Sequence, residues 1–422
     1  MDLQQVERLV VEGQLLTKEH FDEHRQRWLD QGGATNDGDG FVARLVAQRT
    51  LTEFQGVAVQ AGIPGPYLLG PYKVTEHLTA GRMGDVFRAE HVEFGQPVSL
   101  KIFPPALSQD PERLARLGRE ARVGLEVDNL HVVRTYHVGK VGDVQFIALE
   151  ELNGETLEQR LHREGRLSYA EACQLIQQAA EGLDYLHSND VVHRDICPAN
   201  LWITTHGCVK IMEFGAARDA LAYLDSLDEE GEEAGLTINS DDLLGHFAYM
   251  SAEQAKDPHS ADVASDLYSL GCTLYHCLTG QVPFPENNPM RQMLRHATET
   301  PKQLDEFDPA IPDEVQVIVS KLLAKSPQDR YDSAEDVADA LARIVPPAPE
   351  PELDPVNAEF LQWLGSGDGL NNPWESNLIQ TSASSWAGSP TPSSTRCCRA
   401  DRPFDLGSLF HSRDRRQRQF SV

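Results

Sequence analysis

Between Val191 and Gly215 the chain reads VVHRDICPANLWITTHGCVKIMEFG. An acid, Asp195, stands five positions before an amide, Asn200; a short apolar strand pattern holding Trp202 follows, then a second that ends at the carboxylate Glu213. A placed carboxylate can accept a hydroxyl proton, and an amide oxygen with a second carboxylate offers two hard donors to a divalent cation. A base followed by two metal ligands is the order that phosphoryl transfer uses.

Those residues need elements to hold them. A helix is expected over Tyr169–Ser188, with Ala172, Leu175, Ile176, Ala179, Leu183 and Leu186 on one face, and it delivers the chain to Asp195. Upstream, YKVTEHLTAGRMGDVFRAEHVEFGQPVSLKIF from Tyr72 predicts three strands, with a turn bearing Gly81 and Gly84 after the first. Alone, such a glycine turn means only a hairpin. Lys101 ends the third strand, 17 residues after Gly84. An amphipathic helix from Pro111 to about Val123 carries Glu120, which can reach back to pair with Lys101. Two further strands lead through Phe146–Leu149 into Glu150-Glu151-Leu152-Asn153-Gly154.

His193-Arg194-Asp195 with Asn200 resembles the catalytic loop of the eukaryotic-type serine/threonine protein kinases, including their bacterial members. Glu213-Phe214-Gly215 stands where that family has Asp-Phe-Gly, and Gly81 and Gly84, followed by Val86, match the second and third glycines of its Gly-rich loop. The resemblance covers about Tyr72 to Ile344 and implies an α+β, bilobal fold: an antiparallel sheet with one helix, then a mainly helical lobe. It implies ATP and Mg²⁺ as cofactors. Lys101, held by Glu120, would orient the phosphates; Asp195 would be the base; Asn200 and Glu213 would bind metal. Leu149, Glu150 and Leu152 would border the adenine at the hinge, with Leu149 guarding the back of the pocket and Trp202 under the ring. Asp266 would anchor the catalytic loop, Arg330 would pair with Glu253, and Arg194 would receive a phosphate from the segment before Gly245, where Ser226, Thr237 and Ser240 are the candidates.

Departures from the family pattern bear on activity. Glu213 moves a metal ligand outward by one methylene, and Mg²⁺ demands near-ideal geometry, so Mn²⁺ is expected to be tolerated better. Cys197 and His246 replace a lysine and a threonine beside the transferring phosphoryl group, while Thr79 and Ser251-Ala252 are milder changes. The expected function is a serine/threonine kinase with weakened or altered activity. The alternative is a pseudokinase, a nucleotide-binding scaffold or signalling adaptor.

The 422 residues suit two or three units. Residues 1–62 read as a helical module with N-caps at Thr17 and Thr52, the latter in a capping box with Gln55. Residues 63–71, with Ile63-Pro64-Gly65-Pro66, read as a linker, 72–345 as the kinase-like domain, and 346–422 as a disordered Pro/Ser-rich tail with arginines near its end. Loss of everything after Pro346 is then expected to leave the unfolding temperature unchanged. A net charge of −28 argues against nucleic acid and would attract a basic protein substrate or signalling partner. No apolar run is long enough for a membrane span, and the acidic amphipathic start is unlike a secretory signal, so a cytoplasmic protein is expected. Seven scattered cysteines without a C-x-x-C pair predict reduced thiols.

Overall fold

The structure, a computed structural model, describes residues 1–63, 65, 67–79, 84–103, 124–142, 144–213, 247–257, 260–347 and 356–366. Gly81, Glu120, Phe214, Gly215, His246, the three candidate phosphoacceptors, the helix expected from Pro111 and the arginines beyond 395 lie outside the described residues. The chain divides into two compact units, one built from Met1–Leu125, Thr135–Glu151 and Pro355–Val422, the other from Glu126–Arg134 and Leu152–Asp354.

The first unit opens with four helices, α1 (Leu3–Glu12), α2 (Lys18–Asp30), α3 (Gly38–Ala47) and α4 (Glu53–Gln60). Each starts at a side chain that accepts an orphan backbone N–H: Asp2, Thr17, Asp37 and Thr52. Leu3, Val6, Val10, Phe21, Phe41, Val42, Leu45 and Val59 close a core of their own.

A six-stranded antiparallel sheet follows: β1 (Leu68–Leu69), β2 (Tyr72–Thr79), β3 (Asp85–His91), β4 (Pro97–Phe103), β5 (Thr135–Val141) and β6 (Val144–Glu150), ordered β1-β2-β3-β4-β6-β5. Period-two alternation gives it two apolar faces. Tyr72, Val74, Phe87, Val98, Leu100, Phe146 and Ala148 lie in one cluster, and Phe103, Val138 and Ile147 in another with Leu149. Gly139 is required for this packing, since a Cβ there would sit 2.1 Å from the Phe146 ring.

The first of those faces is covered by a helix from the far end of the described chain. Within the span that reads as disordered tail, Ala358–Gly365 is helical, capped by Asn357. Phe360 is fully buried against Tyr136 and His91, and Trp363 packs on His91 and His137. The apolar spacing Phe360, Trp363, Leu364 makes the helix, and the aromatic sheet face retains it.

The second unit holds β7 (Gly154–Thr156), α5 (Leu157–Glu164), α6 (Tyr169–Ser188), β8 (Leu201–Thr204), β9 (Val209–Ile211), α7 (Ala252–Lys256), α8 (Val263–Thr279), α9 (Pro289–Thr298), α10 (Asp313–Leu322) and α11 (Ala334–Ala342). The helix of the first unit at Ala358–Gly365 is α12. β7, β8 and β9 form a small antiparallel sheet. α6 carries the predicted apolar face and packs against α8 and α11. Among the described residues no helix is long and apolar enough to cross a membrane, and the five cysteines described are buried and form no disulfide.

Candidate active site

In the second unit the catalytic loop hangs from one buried carboxylate. Asp266, on the first turn of α8, is fully buried. Its Oδ2 accepts the His193 N–H at 2.8 Å and the His187 Nε2–H at 2.8 Å, and its Oδ1 accepts the Arg194 N–H at 2.6 Å. Hydrogen bonds to a carboxylate are the strong kind; two of them fix the backbone just ahead of Asp195, and the third ties Asp266 to α6 through His187. Arg194 is held at φ 70°, a left-handed conformation that costs a non-glycine residue energy and recurs at functional sites. Its carbonyl accepts from Gln254 Nε2 at 2.6 Å, which braces the loop from α7.

Asp195 is 5% exposed. The Asn200 Nδ2 donates to the Asp195 carbonyl at 2.8 Å and to its Oδ2 at 2.9 Å, which fixes the carboxylate's rotation. Because the amide is planar, spending its nitrogen on Asp195 turns its oxygen the opposite way. A 3-10 turn over Pro198–Asn200 sets this five-residue separation.

Asn200 and Glu213 sit at adjoining ends of the β8–β9 pair. Leu201 faces Ile211 across the ladder, and the Met212 N–H donates to the Asn200 carbonyl at 2.9 Å. His193 Nε2 donates to the Met212 carbonyl at 2.8 Å while Nδ1 accepts the Asp195 N–H at 3.2 Å, so the network requires the Nε2–H tautomer. Glu213 itself adopts φ 59°. An amide oxygen turned from Asp195 and a carboxylate on the neighbouring strand end are a donor set that fits a hard divalent cation. Trp202 pairs with Lys210 on β8–β9, on the face opposite buried Leu201 and Ile203.

The first unit supplies the other predicted residues. Lys101 on β4 lies opposite Val86 on β3 and Ile147 on β6, so Val86, Lys101, Ile147 and, two residues on, Leu149 share one sheet face. Lys101 Nζ lies 5.9 Å from the Phe103 ring centre on that face. Glu150 closes β6, and Leu152 opens the second unit's Leu152–Asp354 segment. Gly84 is buried, its Cα so near Ile102 that a Cβ would meet that carbonyl at 2.2 Å.

Arg330 and Glu253 pair as expected, with Arg330 Nη1 and Nη2 on the two carboxylate oxygens at 2.5 and 3.2 Å. Burial works against the Glu253 charge, yet the Arg330 hydrogen bonds and charge outweigh it and hold the carboxyl below the usual range. Gln254 and His187 were not legible as site residues, because their partners are backbone and carboxylate groups far along the chain. A separate open cavity of about 580 Å³, lined by Arg160, Glu171, Gln178, Thr204 and His206, does not include Asp195.

A protein kinase domain family model matches residues 72–341. The serine/threonine-protein kinase PknB of Mycobacterium leprae is 32% identical over 310 residues, covering 72% of this chain and 48% of its own length. PknB of Mycobacterium tuberculosis is 32% identical over 316 residues, covering 73% and 48%. The chain thus spans about half the length of these relatives. The solved PknI kinase domain of Mycobacterium tuberculosis matches with a TM-score of 0.50 at 22% identity, over 65% of this chain and 97% of that domain, which speaks to the bilobal fold. With well over half of its residues matched and the loop built around Asp266, the chain belongs to the protein kinase family.

Proposed function

We propose that this protein transfers the γ-phosphoryl of ATP to a serine or threonine hydroxyl of a protein, through a metal site altered by Glu213. The observation that carries the reading is the Asn200–Asp195 contact at 2.9 Å on a loop tied to Asp266. Asp195 takes the proton of the attacking hydroxyl, its carboxylate held in one rotation by the amide. Lys101, with Glu120, orients the phosphates; Val86, Leu149, Glu150, Leu152 and Trp202 border the adenine; Gly81 and Gly84 serve the phosphate turn. Asn200 and Glu213 would hold Mg²⁺ or Mn²⁺, which supplies charge neutralisation at the phosphates. The longer Glu213 side chain displaces its oxygens, and a shift near 1 Å can cost on the order of 10²-fold in rate. The Arg194 Nε is buried with no hydrogen-bond partner among the described residues, which suits a phosphate arriving from the segment before Gly245. A basic substrate fits the net charge of −28.

The test is transfer of labelled γ-phosphate to the protein and to a basic Ser/Thr peptide, with Mg²⁺ and with Mn²⁺, beside Asp195→Ala. Incorporation that vanishes in the variant is expected. A folded protein that incorporates nothing under either ion overturns the reading in favour of a pseudokinase scaffold, the reading that Glu213 and Cys197 favour.

A further inference from the structure

Among the described residues the N-terminal module holds the sheet through β2. The Lys73 Nζ donates to the Leu15 carbonyl at 3.3 Å, the Gln55 Nε2 to the Val74 carbonyl at 2.7 Å, and the Thr52 Oγ1 to the Thr75 carbonyl at 2.6 Å. Three consecutive residues of β2 are thus held from the module. Phe54 of α4, between the cap residue Thr52 and Gln55, meets Phe87 of β3 edge-on at 5.9 Å.

The grip falls on an irregularity. The β2–β3 register shifts between Val74 and Glu76 and again between His77 and Thr79, and at the first shift Thr75 uses its own hydroxyl to bond the Arg88 carbonyl at 3.1 Å. A bulge re-aims the strand beyond it. That strand runs to Thr79, opposite Val86, and Gly81 and Gly84 follow it in the sequence. Thr75 to Thr79 is four residues, about 13 Å of strand.

Thr52 and Gln55 are also the two halves of the α4 capping box. The Thr52 hydroxyl accepts the Gln55 N–H at 3.2 Å, and Gln55 Oε1 accepts the Thr52 N–H at 3.1 Å. Gln55 is 1% exposed, a buried amide whose oxygen serves the cap and whose nitrogen serves the strand. A capping box needs only the acceptors; the two donations to β2 are additional.

We infer that Thr52 and Gln55 are positioning residues for the nucleotide: by fixing the bulge at Thr75 they aim the strand that enters the glycine-rich turn. The inference rests on the kinase reading above and adds a task for the N-terminal module within it. Coupling of this kind is reciprocal, so bound nucleotide must also tighten the module on the sheet.

Binding of a fluorescent ATP analogue to the full chain tests it, with hydrogen exchange of the β2 amides as a readout that needs no activity. Thr52→Asp keeps a good N-cap but has no hydrogen to give Thr75, and Gln55→Met keeps the buried volume without the amide. Both are expected to weaken nucleotide binding by about 5–10-fold and to speed β2 exchange. Thr52→Ser restores both donor and cap and is expected to bind as the wild type does. Where turnover is measurable, the loss should fall on the KM for ATP and leave kcat within about twofold. Wild type that binds nucleotide beside variants that bind equally well overturns the inference alone. Wild type that binds no nucleotide overturns the kinase reading and this inference with it. Should Thr52→Asp fail to fold, Gln55→Met decides by the same criteria.

Discussion

Asp266 and Glu213 are the two residues whose alteration separates architecture from chemistry. Asp266 is buried and accepts three hydrogen bonds, so Asp266→Ala leaves one buried and two part-buried donors without their acceptor. A loss of about 3–5 kcal/mol in stability is expected, by analogy with breaking a buried charge network. Urea unfolding would measure it, and a loss below about 1 kcal/mol would show that the loop finds other acceptors. Glu213→Asp shortens the ligand and should raise Mg²⁺-dependent transfer, by up to about 10²-fold, while unfolding stays nearly unchanged. Equal rates in the two proteins would mean that the methylene costs nothing. Asp195 and Asn200 were legible because five residues and one turn determine their contact. The φ of 59° at Glu213 and the brace from Gln254 were not, since neither leaves a local mark in composition or period.

At the scale of elements, the ladder, the long α6 and the capped α4 follow from alternation, helical period and a capping box. The helix α12 did not declare itself, although Phe360, Trp363 and Leu364 are spaced for it, because proline-rich sequence precedes it and only the sheet's aromatic face rewards it. The burial of Phe360 argues against the expectation that loss of everything after Pro346 leaves stability unchanged. Phe360→Ala is expected to cost about 3–5 kcal/mol, and truncation after Pro346 should lower the unfolding temperature by roughly 5–15 °C. Differential scanning calorimetry decides; identical midpoints would mean that α12 is only loosely held. The same helix covers His91 and His137. Burial lowers both of their pKa values, that of His137 to about 4, with a further push from His91.

For the whole molecule, the buried histidines set an acid limit. His137 and His276 are pushed down to about 4 and His296 to about 3, each chiefly by burial, while the unfolded value is 6.5. A group whose folded pKa is depressed contributes fully above the unfolded value and loses that contribution as pH falls from 6.5 towards 4. His131 acts in the other sense. Burial disfavours its charge, but the Cys208 thiol, Glu181 and the Val209 carbonyl outweigh that and raise it to about 9, so its contribution is lost as pH rises from 6.5 to 9. Melting followed from pH 4 to 9 should therefore show falling stability on both sides of neutrality, steeper on the acid side; a flat acid limb would sink the account.

The division of the chain has a consequence for synthesis. Asn357 donates its backbone N–H to Gln96 Oε1, 261 positions earlier, at 2.8 Å. The segments of the first unit flank nearly all of the second. At roughly 5–20 residues per second, the sheet emerges from the ribosome about 10–40 s before Phe360 can reach it. Throughout that interval Tyr136, His91 and His137 lack their cover while the whole second unit is being made. Until then the nascent chain carries an uncovered aromatic surface of the aggregation-prone kind, and the first unit completes its core only after the second has been made.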